Sequence, residues 1–540
     1  MSSSIQRVLQ IRDESIPKDS LLKDSIINSS VLDVSNIPRQ CGLLSNDELN
    51  ITENYTATQL VALLAQGQLT SEQVIRAYIK RAGITHQLTN CATEFLSKEA
   101  IDRAKYLDEE FKRRGGPIGP LHGLPISTKD LVAMKGRRTS AGWIKWLDRI
   151  AEDDALILKI LYDAGAIFYI RTTQPQSLMH LECDSPVYGT TINPFNRNLS
   201  SGGSSGGEGA LIAMKGSPIG IGTDIGGSIR GPANNNGIYG FKPTSFRLPL
   251  QGVIAEQAGR ESIIAAIGPL ARAREDIILF VKTILDTEPW LRDPSLVPIP
   301  WRSITLDSKN ITIAVMWDDN VVHPHPPVTR ALRETVEHLK KSGIRIIDWE
   351  PIDHQKSWDI ISALYYCNGA EEERNVMADG NEKPLPLTEW IINQPHVKKR
   401  TWTEMNKLIS DREIYRTQYA QIWNERETVC HSSIDCLLAP GAPSAASQHG
   451  TSRWWGYISV WNLLDYPAVI FPVTVVDPVK DQVETDYKPR NTLDADNYNL
   501  YTSPTAYANA PIGLQLIGRR YNDEKLMQCL EIIEQAMGRN

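Results

Sequence analysis

The chain predicts an α/β fold: a single large domain with a mixed central sheet covered by helices on both faces. Two observations carry that expectation. Short apolar runs of strand character alternate with helix-periodic segments along most of the 540 residues. No internal repeat or long low-complexity linker interrupts the alternation, and a chain that is 41% hydrophobic can bury a large core.

The elements follow in order. Residues 1–50 are polar and weakly periodic, and are expected as an N-terminal extension lying over the surface of a catalytic domain spanning 51–540. Thr70-Ser-Glu-Gln73 spells a capping box, with Val74, Tyr78 and Ile79 following on one helical face. A second helix runs through Ile101, Ala104, Leu107 and Phe111 to Gly115-Gly116, and Asp153-Asp154 opens a third that stops at Gly165. Ala166–Arg171 then reads as a buried strand.

The same alternation returns later. A strand at Asn310–Val315 precedes a helix through Val328, Leu332, Val336 and Leu339, which Gly343 closes before a strand at Ile344–Ile347. Ile434–Leu438, Ala468–Phe471 and Ile512–Ile517 are further strands, and a helix covers roughly Asp523 to Met537. Residues 290–308 and 477–510, rich in Pro, Asp, Asn and Tyr, read as surface loops.

A net charge of −7 gives no electrostatic ground for a nucleic-acid partner. The stretch after Met1 lacks a secretory apolar core, and no run of apolar residues is long enough for a membrane span. Seven cysteines without a Cys-x-x-Cys pair read as reduced thiols, which places the expected location in the cytoplasm.

The chemistry concentrates in three segments. Ser200-Ser-Gly-Gly-Ser-Ser-Gly-Gly-Glu-Gly-Ala210 is either a flexible loop or a close backbone approach. It lacks the Gly-Lys-Ser/Thr of a phosphate cradle and the spacing of a dinucleotide fingerprint. Gly222-Thr-Asp-Ile-Gly-Gly-Ser228 follows an apolar run, and its glycines allow several amides to converge as an oxyanion hole. Lys129 ends His122-Gly-Leu-Pro-Ile-Ser-Thr-Lys129 and would serve as a base only if its charge were suppressed. His122 and His180 lack a hydrolase context, no Gly-x-Ser-x-Gly elbow surrounds Ser228, and His323-Pro-His325 has no third metal ligand at useful spacing. No metal and no cofactor is expected.

Ser204 lies 24 residues before Ser228, and Lys129 lies 99 before it. With the surrounding letters, this arrangement resembles the amidase signature family. Gly119-Pro-Leu-His-Gly-Leu-Pro-Ile-Ser127, Thr173-Gln-Pro-Gln-Ser-Leu178, Gly240-Phe-Lys-Pro-Thr244, Trp461–Pro467 and Ala510–Arg520 extend the match across nearly the whole chain. Within the family the chain is most similar to fungal acetamidase-type general amidases, relatives of fatty acid amide hydrolase.

The resemblance implies an amidase that hydrolyses a small carboxylic amide to an acid plus ammonia or an amine. It implies Ser228 as nucleophile, Ser204 as a bridging serine held by a cis peptide, and Lys129 as base. It places an oxyanion hole at the amides of Ile225, Gly226, Gly227 and Ser228, and Leu178 against substrate and bridging serine. Asp224 and Arg230 would brace the nucleophile loop. A homodimer stays open as an assembly. Two alternatives also stay open: an amidase subunit of a transamidation complex, and a pseudoenzyme scaffold.

Overall fold

Eleven strands form one sheet in the computed structural model, which describes residues 3–255 and 259–539. From edge to edge the order is Ala92–Phe95, Ile167–Thr172, Pro125–Lys129, Ile219–Asp224, Ala266–Ala271, Tyr239–Lys242, Ala468–Val475, Pro511–Ile517, Cys436–Pro440, Thr312–Val315 and Arg345–Asp348. Pro125–Lys129 runs parallel to both its neighbours, the strands Ala266–Ala271 through Pro511–Ile517 pair antiparallel, and the far edge is parallel again. The sheet is therefore mixed, as the sequence predicts.

Strand alternation sends successive side chains to opposite faces. Ile313, Val315 and Leu438 join one apolar cluster, while Ala314, Met316, Leu437 and Ala439 join another. The first cluster is largely aliphatic and packs under the helices Ser71–Thr89, Ser97–Arg114, Leu156–Asp163 and Asp523–Ala536. The second holds Trp143, Trp349, Trp358, Tyr365, Tyr419, Trp461 and other rings, under the helices His354–Tyr365, Trp402–Cys430 and Gly456–Leu463. Each fully buried aliphatic side chain contributes about 1.5–3 kcal/mol of transfer free energy.

Local signals explain most boundaries. Gln73 N–H donates to Thr70 Oγ1 at 3.1 Å and Thr70 N–H to Gln73 Oε1 at 2.9 Å, a reciprocal cap. The helix Ser97–Arg114 ends where Gly115 turns left-handed at φ 74°. The helix expected from Asp153 begins instead at Leu156; Asp154 spends its carboxylate on the Lys135 amide, 2.8 Å away.

Three regions hold elements that the sequence reading did not name. Residues 477–510 are not simply loop: they contain the helix Thr492–Leu500 and the 3-10 turn Pro504–Tyr507, with Asp494, Tyr501 and Tyr507 buried. Their polar composition is accommodated because Asp494 accepts from the amides of His323 and Arg490, each at 2.8 Å. Helix Trp402–Cys430, 29 residues long, buries only Tyr415, Tyr419 and Trp423, so its apolar stripe is too thin to announce it. The segment before residue 50 carries short helices, and it buries Ile5 and Val8 on the first of them and Val34 and Leu44 between others.

Candidate active site

Lys129 is the last residue of a strand that sits between two parallel neighbours, and it is fully buried. Its Nζ hydrogen bonds to Ser204 Oγ at 2.6 Å and to Thr223 Oγ1 at 3.3 Å. Burial pushes its pKa down to about 7, while Cys183, Asp224 and Glu208 pull it partly back. A free lysine titrates at about 10.4, so this amine, unlike a free one, is about half neutral at pH 7.

The glycine-rich stretch is a close approach rather than a flexible loop. A Cβ on Gly203 would stand 2.3 Å from the Glu182 carbonyl oxygen and 2.6 Å from that of His180. The peptide bond Gly203–Ser204 is cis, and helix Gly206–Ala213 starts two residues later. Glu208 on that helix is completely buried; burial raises its carboxyl to about 8 even though Ser127 and Thr172 hydroxyls bond to it.

Ser228 follows the strand Ile219–Asp224 at a turn, its carbonyl accepting from the Ser205 amide at 3.1 Å. Gly227 takes φ 126°, and a Cβ there would reach within 2.0 Å of Ile458 Cδ1. Asp224 shapes the turn by accepting from Gly227 N–H at 2.8 Å and Ile229 N–H at 3.2 Å. Arg230 grips Asp224 through Nε at 2.9 Å and Nη2 at 3.0 Å, and also bonds Gln515, Asn462 and the Ile458 carbonyl. Burial alone would raise the Asp224 carboxyl, but the Arg230 charge and these bonds hold it well below the usual range. Breaking such a buried, fully bonded pair costs about 3–5 kcal/mol.

The Gly227 amide is thus committed to Asp224. The amides of Ile225, Gly226 and Ser228 have no hydrogen-bond acceptor among the described residues.

Ser204, Ser228, Thr223 and Leu178 line one cavity of about 300 Å³. Its other walls are chiefly apolar, with Met179, Ile225, Phe246, Leu250, Val253 and Ile263 among them, and no histidine among the described residues lines it. Leu178 sits in a tight turn at φ 60°, next to Ser177 at φ 64°. Two consecutive left-handed non-glycine residues cost about 1–3 kcal/mol each and persist only where the surroundings fix them. Here the Gln176 side chain ties the turn to the Lys383 carbonyl at 3.0 Å and the Leu385 amide at 2.8 Å.

The three residues singled out by spacing therefore meet at one place. Sequence reasoning missed Thr223, Glu208 and Tyr365, whose hydroxyl donates to the Ile225 carbonyl at 2.8 Å. Only the Glu208 and Thr223 letters stood inside recognisable motifs; Tyr365 comes from a helix with no local signal. The histidines weighed as alternative bases, His122 and His180, do not line this cavity, and His122 Nδ1 accepts from the Ile118 amide at 3.2 Å; of the pair weighed for a metal, His325 Nε2 bonds the Asn497 carbonyl at 2.7 Å.

An interior amine bonded to a hydroxyl, beside a cavity that a second serine also faces, is the equipment of an enzyme. Residues 73–527 match the family model described as Amidase. The chain shares 44% identity with a Schizosaccharomyces pombe protein over 523 residues, 97% of this chain and 96% of that one. It is 40% identical to the acetamidase of Emericella nidulans over 513 residues, 94% of this chain and 93% of that one. A solved structure of fatty acid amide hydrolase superposes with a TM-score of 0.94 at 35% identity, covering 99% of this chain and 95% of that one. The chain belongs to the amidase signature family and is an enzyme that hydrolyses amide bonds. No described helix is long and apolar enough to cross a membrane.

Proposed function

We propose that this amidase works through a Ser228–Ser204–Lys129 relay and an acyl-enzyme. The observation that carries the reading is the 2.6 Å bond between buried Lys129 Nζ and Ser204 Oγ, beside the cavity that Ser204 and Ser228 share. Neutral Lys129 takes the Ser204 proton as Ser204 takes that of Ser228, whose Oγ attacks the substrate carbonyl carbon. The carbonyl oxygen, now negative, faces the amides of Ile225, Gly226 and Ser228; Gly227 contributes its backbone turn rather than its N–H. The relay runs back to protonate the nitrogen as the C–N bond breaks, leaving an ester on Ser228. Water then attacks that ester with the same proton path and releases the acid.

The cavity volume lies at the small end of the range for small-molecule sites, which supports compact amides, short aliphatic or aryl, over long acyl chains. The acetamidase relative points the same way. All sheet strands and the cavity-lining residues come after residue 50, which supports reading 1–50 as an extension on a catalytic unit of 51–540. Seven free thiols support a reducing compartment, the cytoplasm.

The purified chain alone should release ammonia from acetamide and short homologues, with turnover falling as the acyl chain lengthens. Release only in the presence of a second protein would favour the transamidation reading, and no release with no labelling by a fluorophosphonate would favour a scaffold. Ser228→Ala should lower kcat by about 10⁵–10⁶-fold and abolish fluorophosphonate labelling. Retained turnover in that variant would remove Ser228 from the mechanism.

A further inference from the structure

We propose that Tyr365 is a positioning residue that aims the Gly226 amide at the oxygen of the reacting carbonyl. The proposal rests on the reading of Ser228 as nucleophile, and it adds a residue from a distant helix to the site.

The Ile225 carbonyl and the Gly226 N–H belong to one planar trans unit, so fixing the direction of one fixes the other, pointing the opposite way. Tyr365 Oη donates to the Ile225 carbonyl at 2.8 Å. Asp224 does not perform that task. Its carboxylate accepts from the amides of Gly227, Ile229 and Arg230, not from that of Gly226. The Ile225–Gly226 unit therefore depends on Tyr365 for its orientation among the described residues.

Two further observations show how closely the parts are fitted. A Cβ on Gly226 would stand 2.6 Å from Tyr365 Oη, so the hydroxyl occupies the space that the glycine leaves. Tyr365 is itself fully buried at the end of the helix His354–Tyr365, with its ring tilted against Trp455 at 6.1 Å between centroids. The hydroxyl has little freedom to turn elsewhere.

A buried tyrosine hydroxyl needs an acceptor in any protein, so a purely structural role is the competing account. The two accounts separate on what is lost. An aimed amide matters most when negative charge develops on the oxygen, and less in the ground state. A space-filling role would weaken all ligands of the cavity alike.

The test uses the full chain carrying Tyr365→Phe. A trifluoromethyl ketone matched to a good substrate forms a tetrahedral oxyanion adduct on the nucleophile, and the corresponding secondary alcohol occupies the cavity without one. The expected result is a fall of about 10–100-fold in kcat/KM, somewhat below the loss of a whole oxyanion donor. Ketone affinity should fall in parallel, with alcohol affinity unchanged within twofold. Unchanged kcat and ketone affinity, or equal weakening of ketone and alcohol, would overturn the proposal. Gly226→Ala supplies a second arm, since its methyl displaces the Tyr365 hydroxyl. It should lose ketone affinity to a similar degree, and the double variant should lose no more than either single one, because both break the same bond. Additive losses would also overturn it. Absence of fluorophosphonate labelling in the unaltered chain would instead refute the Ser228 reading on which the proposal stands.

Discussion

Lys129 and Lys242 are the same residue in nearly the same setting, yet only one bonds hydroxyl groups. Each is the last residue of a strand in the central sheet, and each is buried. Burial lowers Lys129 to about 7 and Lys242 to about 8; Asp465 pulls Lys242 up while Arg230 pushes it down. The difference lies in what each amine touches. Lys129 bonds a serine and a threonine hydroxyl, and that serine faces the cavity. Lys242 donates to the Pro243 carbonyl at 3.0 Å, an oxygen with no proton to give. Depressing an ammonium is common to both; a hydroxyl able to carry the proton onward distinguishes the first.

The comparison breaks most sharply by substitution at position 129. Lys129→Met keeps most of the side chain's length but removes the proposed base, and should lower kcat/KM by about 10²–10⁴-fold. A loss below tenfold in steady-state assays would put Lys129 on a level with Lys242.

The next effect is on pH. Lys129 must be neutral to accept a proton, so kcat/KM should fall tenfold per unit as pH drops below about 7, and level off above it. The rate of fluorophosphonate labelling should follow the same curve. A flat profile between pH 5 and 7 would refute the assignment.

The smallest effect belongs to Lys242→Met, which should leave kcat/KM within a fewfold of the parent. Its signature is in stability instead. The folded pKa of Lys242 lies below the value of about 10.4 for an unfolded lysine, so between these pH values the unfolded chain binds more protons. Stability therefore rises with pH across roughly 8 to 10.4, and Lys242→Met should flatten that rise in urea melts at several pH values. An unaltered slope together with a large loss of activity would reverse the roles assigned to the two lysines.

Much of the fold was legible because burial leaves a period in the letters. The helix Pro326–Lys341 and the strands flanking it stand where their apolar spacing puts them. Trp402–Cys430 escaped because three rings spaced four apart bury too little surface to show a face. The strands Tyr239–Lys242 and Ala266–Ala271 escaped because Gly240, Gly268 and Pro269 dilute their strand character. At the site, the motif letters pointed to Lys129, Ser204 and Ser228, but nothing local marked Tyr365, whose hydroxyl bonds the Ile225 carbonyl from 140 residues further along the chain.

The amino-acid sequence by itself determined which side chains are present for the proposed acyl transfer, and where glycine permits a backbone to turn or to be approached closely. Both depend on residue type and immediate neighbours. Only the tertiary structure decided the protonation of Lys129, the engagement of Gly227 by Asp224, and the contact of Tyr365 with Ile225. Those depend on which distant atoms replace water around a group, and that is settled when the sheet and its two helical layers close over the site.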